Sequence, residues 1–180
     1  RLEMSRAEWG SPHNEDVADA LDQMDGLVST VLALARHGQP VTDGEPVDVA
    51  TVAHQSWKNI DLNGTASLDV DVDQTVVGNR SRLQRLFENL FRNAVEHGGE
   101  DVSVVVTDTD DGFAVEDDGP GLPDGDVDVF ETGFTTDEDG TGFGLHIVRE
   151  VARAHGWEIE ATDADDGGAR FELGRVETTS

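Results

Sequence analysis

The feature that most constrains the fold is a change of hydrophobic period between residues 81 and 117. Residues 81–98 (SRLQRLFENLFRNAVEHG) repeat apolar side chains every three or four positions, the spacing of a helix with one buried face. The following segments, DVSVVVTD and GFAVEDDG, are typical of two strands joined by a tight turn. Both elements need a shared core, so the pattern predicts helices packed against a sheet.

The rest of the C-terminal part supports the same architecture. Residues 47–57 predict a short strand and then a helix, and residues 143–154 predict another helix. Strands are predicted at 67–72 and 75–77, and a closing hairpin at 157–173. We therefore expect an α/β fold, a two-layer sandwich of a mixed sheet and helices, preceded by a partial helical hairpin.

Residues 14–37 predict the second arm of that hairpin. Their apolar side chains recur at spacings of three and four and form one stripe: Val17, Leu21, Met24, Leu27, Val28, Val31, Leu32 and Ala35. A stripe of this strength needs a partner, either a first arm upstream of Arg1 or another chain. The expected domains are a partial hairpin at 1–40 and a second domain at 47–175, joined by a linker rich in glycine and proline.

Acidic side chains dominate the composition, with 39 Asp and Glu against 12 Lys and Arg and a formal net charge of −27. This charge argues against nucleic acid or an anionic membrane as a partner. Since Lys58 is the only lysine, we expect a protein adapted to high salt, where charge repulsion is screened. The absence of cysteine and of any long apolar run favours a cytoplasmic domain, although upstream segments could attach the full protein to a membrane.

Two asparagines lie four residues apart on the helix predicted at 81–98. Asn89 and Asn93 therefore share a face at the edge of the apolar stripe. Their amide oxygens suit a hydrated Mg²⁺ ion that also binds phosphate. A solvated polar edge is the alternative for this pair.

A second candidate site follows the strand that ends in VED. Asp117 can accept a hydrogen bond from an exocyclic amine, and Gly119 and Gly121 let a flat ring approach the backbone. That combination suits adenine. An ordinary Asp-Gly turn is the alternative.

A third candidate is the stretch GTGFGLHIVREVARAHG at 140–156. Gly140, Gly142 and Gly144 precede a predicted helix, and free N–H groups at a helix N-terminus attract phosphate. The spacing is neither that of a dinucleotide fold nor that of a lysine-containing P-loop. A flexible turn before a helix is the alternative.

The order of these motifs resembles the ATP-binding domain of sensor histidine kinases, in the superfamily that includes gyrase, Hsp90 and MutL. Asn-x-x-x-Asn, Asp-x-Gly-x-Gly, VFETGFTT and Gly-x-Gly-x-Gly follow one another as that family's N, G1, F and G2 boxes do. The resemblance covers about residues 47–173, and the helix at 14–37 is similar to the second arm of the family's dimerisation hairpin.

The resemblance implies ATP and Mg²⁺ as cofactors and a role for each matching residue. Asn93 and Asn89 correspond to the metal-binding asparagines, and His97 falls near the phosphates. Asp117, Gly119 and Gly121 correspond to the adenine pocket. The remaining correspondences are to the lid over the nucleotide, Phe130, Phe134, Thr135 and Thr136, and to the phosphate loop, Gly140, Gly142, Phe143, Gly144 and Leu145.

Within the superfamily, the resemblance favours a kinase that phosphorylates histidine and passes the phosphoryl group to a response regulator receiver domain. Other members have a glutamate base where this chain has Asn89, and Glu88 is rotated about 100° away on a helix. A neutral imidazole needs no such base. The alternatives are a regulatory serine kinase or ATPase of the same superfamily, or a catalytically silent ATP-binding dimerisation module.

None of the six histidines precedes an acidic residue, as the family's phosphoacceptor does. We therefore expect the acceptor upstream of Arg1, in a homodimer formed through the hairpin, and no autophosphorylation by this chain alone. His37 and His155 lie near helix ends, where we expect cations that complement the helix dipole.

Two positions depart from the family pattern. Glu96 stands where the family often has lysine, and residues 124–139 contain seven acids and no base. We therefore expect nucleotide binding that is weak at low salt and strengthens with KCl.

Overall fold

The structure is a computed structural model that describes residues 41, 44–60, 64–99, 101–125, 127–133, 142–165 and 167–179. The chain divides into two compact units, Arg1–His37 and Gly38–Ser180, and all the described residues belong to the second unit. The hairpin predicted at 1–40 therefore lies outside the described residues. Along the part of the chain that the structure describes, no helix is both long and apolar enough to span a membrane.

The helices and strands lie where the hydrophobic pattern predicts them, within a few residues. In chain order they are β1 (Glu45–Asp48), α1 (Val49–Trp57), β2 (Ser67–Asp71), β3 (Thr75–Gly78), α2 (Arg80–Gly98), β4 (Ser103–Thr109), β5 (Gly112–Asp117), α3 (Gly144–His155), β6 (Glu158–Asp163) and β7 (Ala169–Gly174).

Five of the strands form one mixed sheet in the order β2-β4-β5-β7-β6. β2 runs parallel to β4, and the other neighbours are antiparallel, which confirms the predicted mixed sheet. β1 and β3 form a separate antiparallel pair. β2 and β3, although adjacent along the chain, therefore belong to different sheets.

A chain of aromatic contacts links the helices to the sheet. Trp57 of α1 packs edge-on against Phe91 of α2 at 5.3 Å between ring centroids, and Phe87 stacks on Phe91 at 5.4 Å. Phe87 also lies 5.6 Å from Phe113 of β5, which contacts Trp157 at 6.1 Å. The three phenylalanines are fully buried, so this cluster anchors α2 to the sheet. It thereby fixes the position of the polar edge of α2, which carries Asn89 and Asn93.

His155 at the end of α3 has a structural role, but the prediction that it is a cation is wrong. Its Nδ1 lies 2.7 Å from the Val151 carbonyl oxygen, which only accepts, so Nδ1 carries the proton. Its Nε2 then accepts a hydrogen bond from the backbone N–H of Asn79 at 3.0 Å. Burial lowers the pKa of His155. The ring is therefore neutral, stacked on Trp157 at 4.4 Å, and joins α3 to the start of α2.

Candidate functional site

Asp117 lies at the end of the central strand β5, half-buried, and is held by two backbone donors. Its Oδ1 accepts hydrogen bonds from the N–H of Gly119 at 3.0 Å and from the N–H of Ala169 at 3.2 Å. Burial raises the pKa of Asp117, and the two N–H donors oppose that rise. A half-buried acceptor with a raised pKa at a strand end suits recognition of a ligand amine.

The turn after Asp117 rests on neighbouring elements. A Cβ atom added at Gly119 would lie 3.0 Å from the Cα atom of Gly98, so the turn packs against the end of α2. Gly121 lies beside Asp163 at the end of β6, and the Asp163 carboxylate accepts a hydrogen bond from the Leu122 N–H at 3.0 Å. Gly119 therefore lies beside Asp117 and the end of α2, and Gly121 lies beside the ends of the β6–β7 hairpin turn.

Asn89 directs its amide oxygen towards the start of α3. Its Nδ2 donates to the Arg85 carbonyl at 2.7 Å, which leaves Oδ1 on the opposite side of the amide group. Oδ1 lies 3.5 Å from the position of a Cβ atom on Gly144, the first residue of α3. Asn93 is half-buried one helical turn further along α2. Asn89 and Asn93 thus share one edge of α2, and amide oxygens fit the donor set of a hydrated Mg²⁺ ion.

The N-terminus of α3 lacks a side-chain cap. Asp48 caps α1 by accepting from the Thr51 N–H, and Asn79 caps α2 by accepting from the Arg82 N–H. The corresponding residue of α3 is Phe143, which makes no capping hydrogen bond, and the first turn has no acid. Among the described residues, no side chain caps the first N–H groups of α3, which suit an anion.

Gly142 ties the residues before α3 to the end of the 127–133 segment. It has φ of +64°, and an added Cβ atom would lie 2.5 Å from the carbonyl carbon of Gly133. The Gly133 N–H also donates to the Gly142 carbonyl at 3.0 Å. A side chain at position 142 would push these two backbones apart, so only glycine fits.

Phe130 is an anchor in the core. Its ring is 8% exposed, meets Phe171 edge-on at 6.3 Å, and lies under the Arg149 guanidinium at 6.0 Å. Arg149 donates to the Asp128 carboxylate at 2.7 Å and holds the pKa of that group below its usual range. The first residues of the 127–133 segment are therefore bound to α3 through the Asp128–Arg149 ion pair.

The remaining predicted residues divide into two groups. His97 is exposed on the last turn of α2, and Leu145 is half-buried against the core. Phe134, Thr135, Thr136 and Gly140 lie outside the described residues. The described geometry thus brings Asn89 next to the start of α3 and packs the turn after Asp117 against the end of α2.

The sequence of this chain also matches a known protein family. Residues 78–179 match the family described as histidine kinase-, DNA gyrase B- and HSP90-like ATPases. The chain belongs to this family.

Individual relatives narrow the comparison to sensor kinases. The sensor protein CutS of Streptomyces coelicolor is 36% identical over 163 residues, covering 79% of this chain and 38% of CutS. The mycobacterial sensor histidine kinase MprB superposes with a TM-score of 0.62 at 27% identity, covering 76% of this chain and 99% of that one. The ATP-binding domain of PrrB from Mycobacterium tuberculosis gives 0.58 at 28%, covering 77% and 99%. The chain spans about two fifths of CutS and is a catalytic ATP-binding domain of this kinase type.

Glu88 points away from the expected phosphate end of this ATPase site. Its Oε1 accepts hydrogen bonds from Asn59 Nδ2 at 2.8 Å and from Gln84 Nε2 at 2.9 Å. The carboxylate is therefore engaged towards α1, whereas Asn89 faces α3. Glu88 does not replace the glutamate base of other superfamily members.

The contact of the turn between β6 and β7 with Asp117 is the part of the candidate site that sequence reasoning missed. Gly167 and Gly168 signalled a hairpin turn, and that turn is present. The contact of the Ala169 N–H with Asp117 joins residues 52 positions apart through the backbone, so no side-chain pattern marks it. The Arg149–Asp128 ion pair was missed for a related reason, because the two residues lie 21 positions apart and no sequence pattern links them.

Proposed function

We propose that this chain is the ATP- and Mg²⁺-binding catalytic part of a two-component sensor histidine kinase. It would transfer the γ-phosphoryl group of ATP to a histidine on a dimerisation hairpin, from which a response regulator receiver domain accepts it. The observation that carries the proposal is the Asn89 amide oxygen beside Gly144 at the uncapped start of α3. A metal-binding oxygen and a phosphate-binding helix end meet there. The oxygen belongs to α2, whose last residue packs against the turn that Asp117 begins.

The binding roles follow from the donors and acceptors at each end. Asp117 accepts a hydrogen bond from the 6-amino group of adenine, and the glycines of the next turn let the ring lie against the backbone. The backbone N–H groups at 142–145 donate to the phosphates. Asn89 and Asn93 would hold Mg²⁺, and the bound ion would neutralise phosphate charge.

Among the described residues, the glutamate next to Asn89, Glu88, is turned towards α1, and this favours histidine as the phosphoryl acceptor. A serine hydroxyl or a water molecule must lose a proton as it attacks, whereas a neutral imidazole nitrogen has a free lone pair. The nitrogen forms a bond to the γ-phosphorus, the bond from that phosphorus to the bridging oxygen breaks, and ADP leaves. Because Glu88 is engaged with Asn59 and Gln84, the described geometry supports this chemistry best.

We propose further that the full protein is a homodimer through its hairpin, that this part works in the cytoplasm, and that it is adapted to high salt. The chain's net charge of −27 supports the last point. At about 1 M salt the Debye length is only about 3 Å, so acidic side chains repel bound phosphates less.

Phosphoryl transfer in trans tests the function. The 180-residue chain is incubated with γ-labelled ATP, Mg²⁺ and a helical-hairpin peptide that carries a histidine followed by an acid. Acid-labile label on the peptide is expected. Acid-stable label would indicate a serine kinase, and no label from a chain that binds ATP would indicate a silent binding module. The Asn93→Ala chain is the matched control and should transfer at least about a hundredfold less.

A further inference from the structure

The last turn of α3 holds a distant part of the chain, the segment that leads into β1. The backbone N–H of Val41, four positions before β1, donates to the Ala154 carbonyl oxygen at 2.8 Å. Ala154 directly precedes His155, the last residue of α3. The last four carbonyls of a helix have no partner within it, so Val41 satisfies one of them. The segment before β1 is therefore attached to the C-terminal end of α3.

The His155 ring fixes the position of this last turn. Its Nε2 accepts a hydrogen bond from the Asn79 N–H at 3.0 Å, and its face stacks on Trp157 at 4.4 Å. The ring also lies against the backbone of Gly78, since a Cβ atom there would come within 3.1 Å of both Cδ2 and Nε2. A ring that is held on its edge and on its face has one position, and that position requires an unprotonated Nε2.

A second proton on the ring is incompatible with these contacts. Nδ1 already carries a proton, which it donates to the Val151 carbonyl oxygen at 2.7 Å, so the second proton binds at Nε2. The new Nε2–H group then faces the Asn79 N–H, donor against donor. Two buried donors without acceptors destabilise the contact, so the charged ring must leave Asn79.

The surroundings of His155 offer no compensation for a positive charge. Among the described residues, the charged group that acts on the ring is the Arg82 guanidinium of α2, which repels a cation. β3 and Trp157, which also pack against the ring, carry no charged side chain. Burial lowers the pKa of His155, the bond to Val151 opposes this effect, and Arg82 adds to it.

We propose that His155 is an acid-sensitive latch, which holds Val41 to α3 while the ring is neutral and releases it when the ring takes up a proton. The charged ring leaves Asn79, the last turn of α3 loosens, and the Ala154 carbonyl loses its hold on Val41. We expect the opening to be local, because helix ends open at a lower free energy than the core. The latch lies at the opposite end of α3 from the candidate phosphate site and does not depend on ATP binding.

Amide signals of the ¹⁵N-labelled chain between about pH 7.5 and 5 test the latch. The Val41 and Asn79 amides should shift with one midpoint, below about pH 6.5, which the ring signals of His155 share. Protection of both amides against hydrogen exchange should fall about tenfold, whereas Phe87 in the core should keep its protection. A Val41 signal that does not follow His155 would overturn the latch. An equal loss of protection at Phe87 would show unfolding of the whole domain and would also overturn it.

Two histidine variants provide the matched comparison. In His155→Gln, the side-chain amide oxygen can accept from the Asn79 N–H but takes up no proton in this range. Val41 should therefore lose its pH dependence in His155→Gln and keep it in His54→Gln, which alters an exposed histidine of α1. An unchanged pH dependence in His155→Gln would overturn the latch. If His155→Gln does not fold, the shared midpoint of Val41, Asn79 and His155 in the unaltered chain decides.

Discussion

At the scale of single residues, burial shifts the pKa values of two side chains that have different roles. Burial raises the pKa of Asp117, an effect to which Asp118 adds and which His97 opposes, and it lowers the pKa of His155. Asp117 is placed for ligand recognition, whereas His155 joins α3 to Asn79 and is neutral. The position of His155 near a helix end predicted a cation. That prediction failed because the N–H that donates to its ring belongs to Asn79, 76 positions away, and the sequence gives no sign of this contact.

His155 should make the folded state sensitive to mild acid. Its pKa is lower in the folded chain than the ordinary value of 6.5, so the unfolded chain binds more protons. Its contribution to stability is therefore fully present above about pH 6.5 and is lost as the pH falls from there through the folded-state pKa. We expect the free energy of unfolding, measured with urea between about pH 5 and 8, to change less with pH in His155→Gln than in the unaltered chain. The exposed-site control His54→Gln should keep the pH dependence of the unaltered chain. Equal slopes in both variants would contradict the assignment.

At the scale of elements, the hydrophobic periods predict each helix and strand but leave the pairing open. β2 pairs with β4 rather than with β3, which follows it in the chain, because pairing depends on the shared core and not on local alternation. The candidate site follows the same rule. Motif order predicted Asn89, Asp117 and the start of α3, whereas the β6–β7 turn contacts Asp117 through a backbone N–H, which leaves no side-chain pattern in the sequence.

The uncapped start of α3 gives a prediction that separates the phosphate end from the base end. Phe143→Asp puts a carboxylate at the positive end of the helix, where the phosphates should bind. Phe143→Asn is the control, because asparagine has nearly the same size as aspartate but carries no charge. The Asp variant should bind ATP about tenfold more weakly than the Asn variant, and adenosine equally well, by calorimetry. Equal ATP affinities would place the phosphates elsewhere.

At the scale of the whole molecule, charge is distributed unevenly over the described elements. β2 and β6, the edge strands of the five-stranded sheet, carry five acids and no base. α2 carries four arginines and two glutamates. Acidic edges discourage strand pairing between molecules, and they also repel one another at low salt.

Salt should therefore stabilise both the fold and the complex with ATP. The free energy of unfolding and the ATP affinity should rise as KCl increases from about 0.1 M to 2 M, because screening relieves repulsion among carboxylates. Glu160 lies on the acidic edge strand β6, so Glu160→Lys should weaken the salt dependence of unfolding by removing one negative charge from that edge. Stability and affinity that only decrease with KCl would contradict salt adaptation.

The central claim is that Asp117, Asn89 and the start of α3 form one ATP site, and amide chemical shifts test it most directly. In ¹⁵N-labelled protein with Mg²⁺, ATP should shift the amide signals of Gly119 and Ala169 at the base end together with those of Gly144 and Leu145 at the phosphate end. Adenosine should shift only the first pair. ATP-induced shifts that miss both pairs, or adenosine shifts centred on α3, would contradict the account.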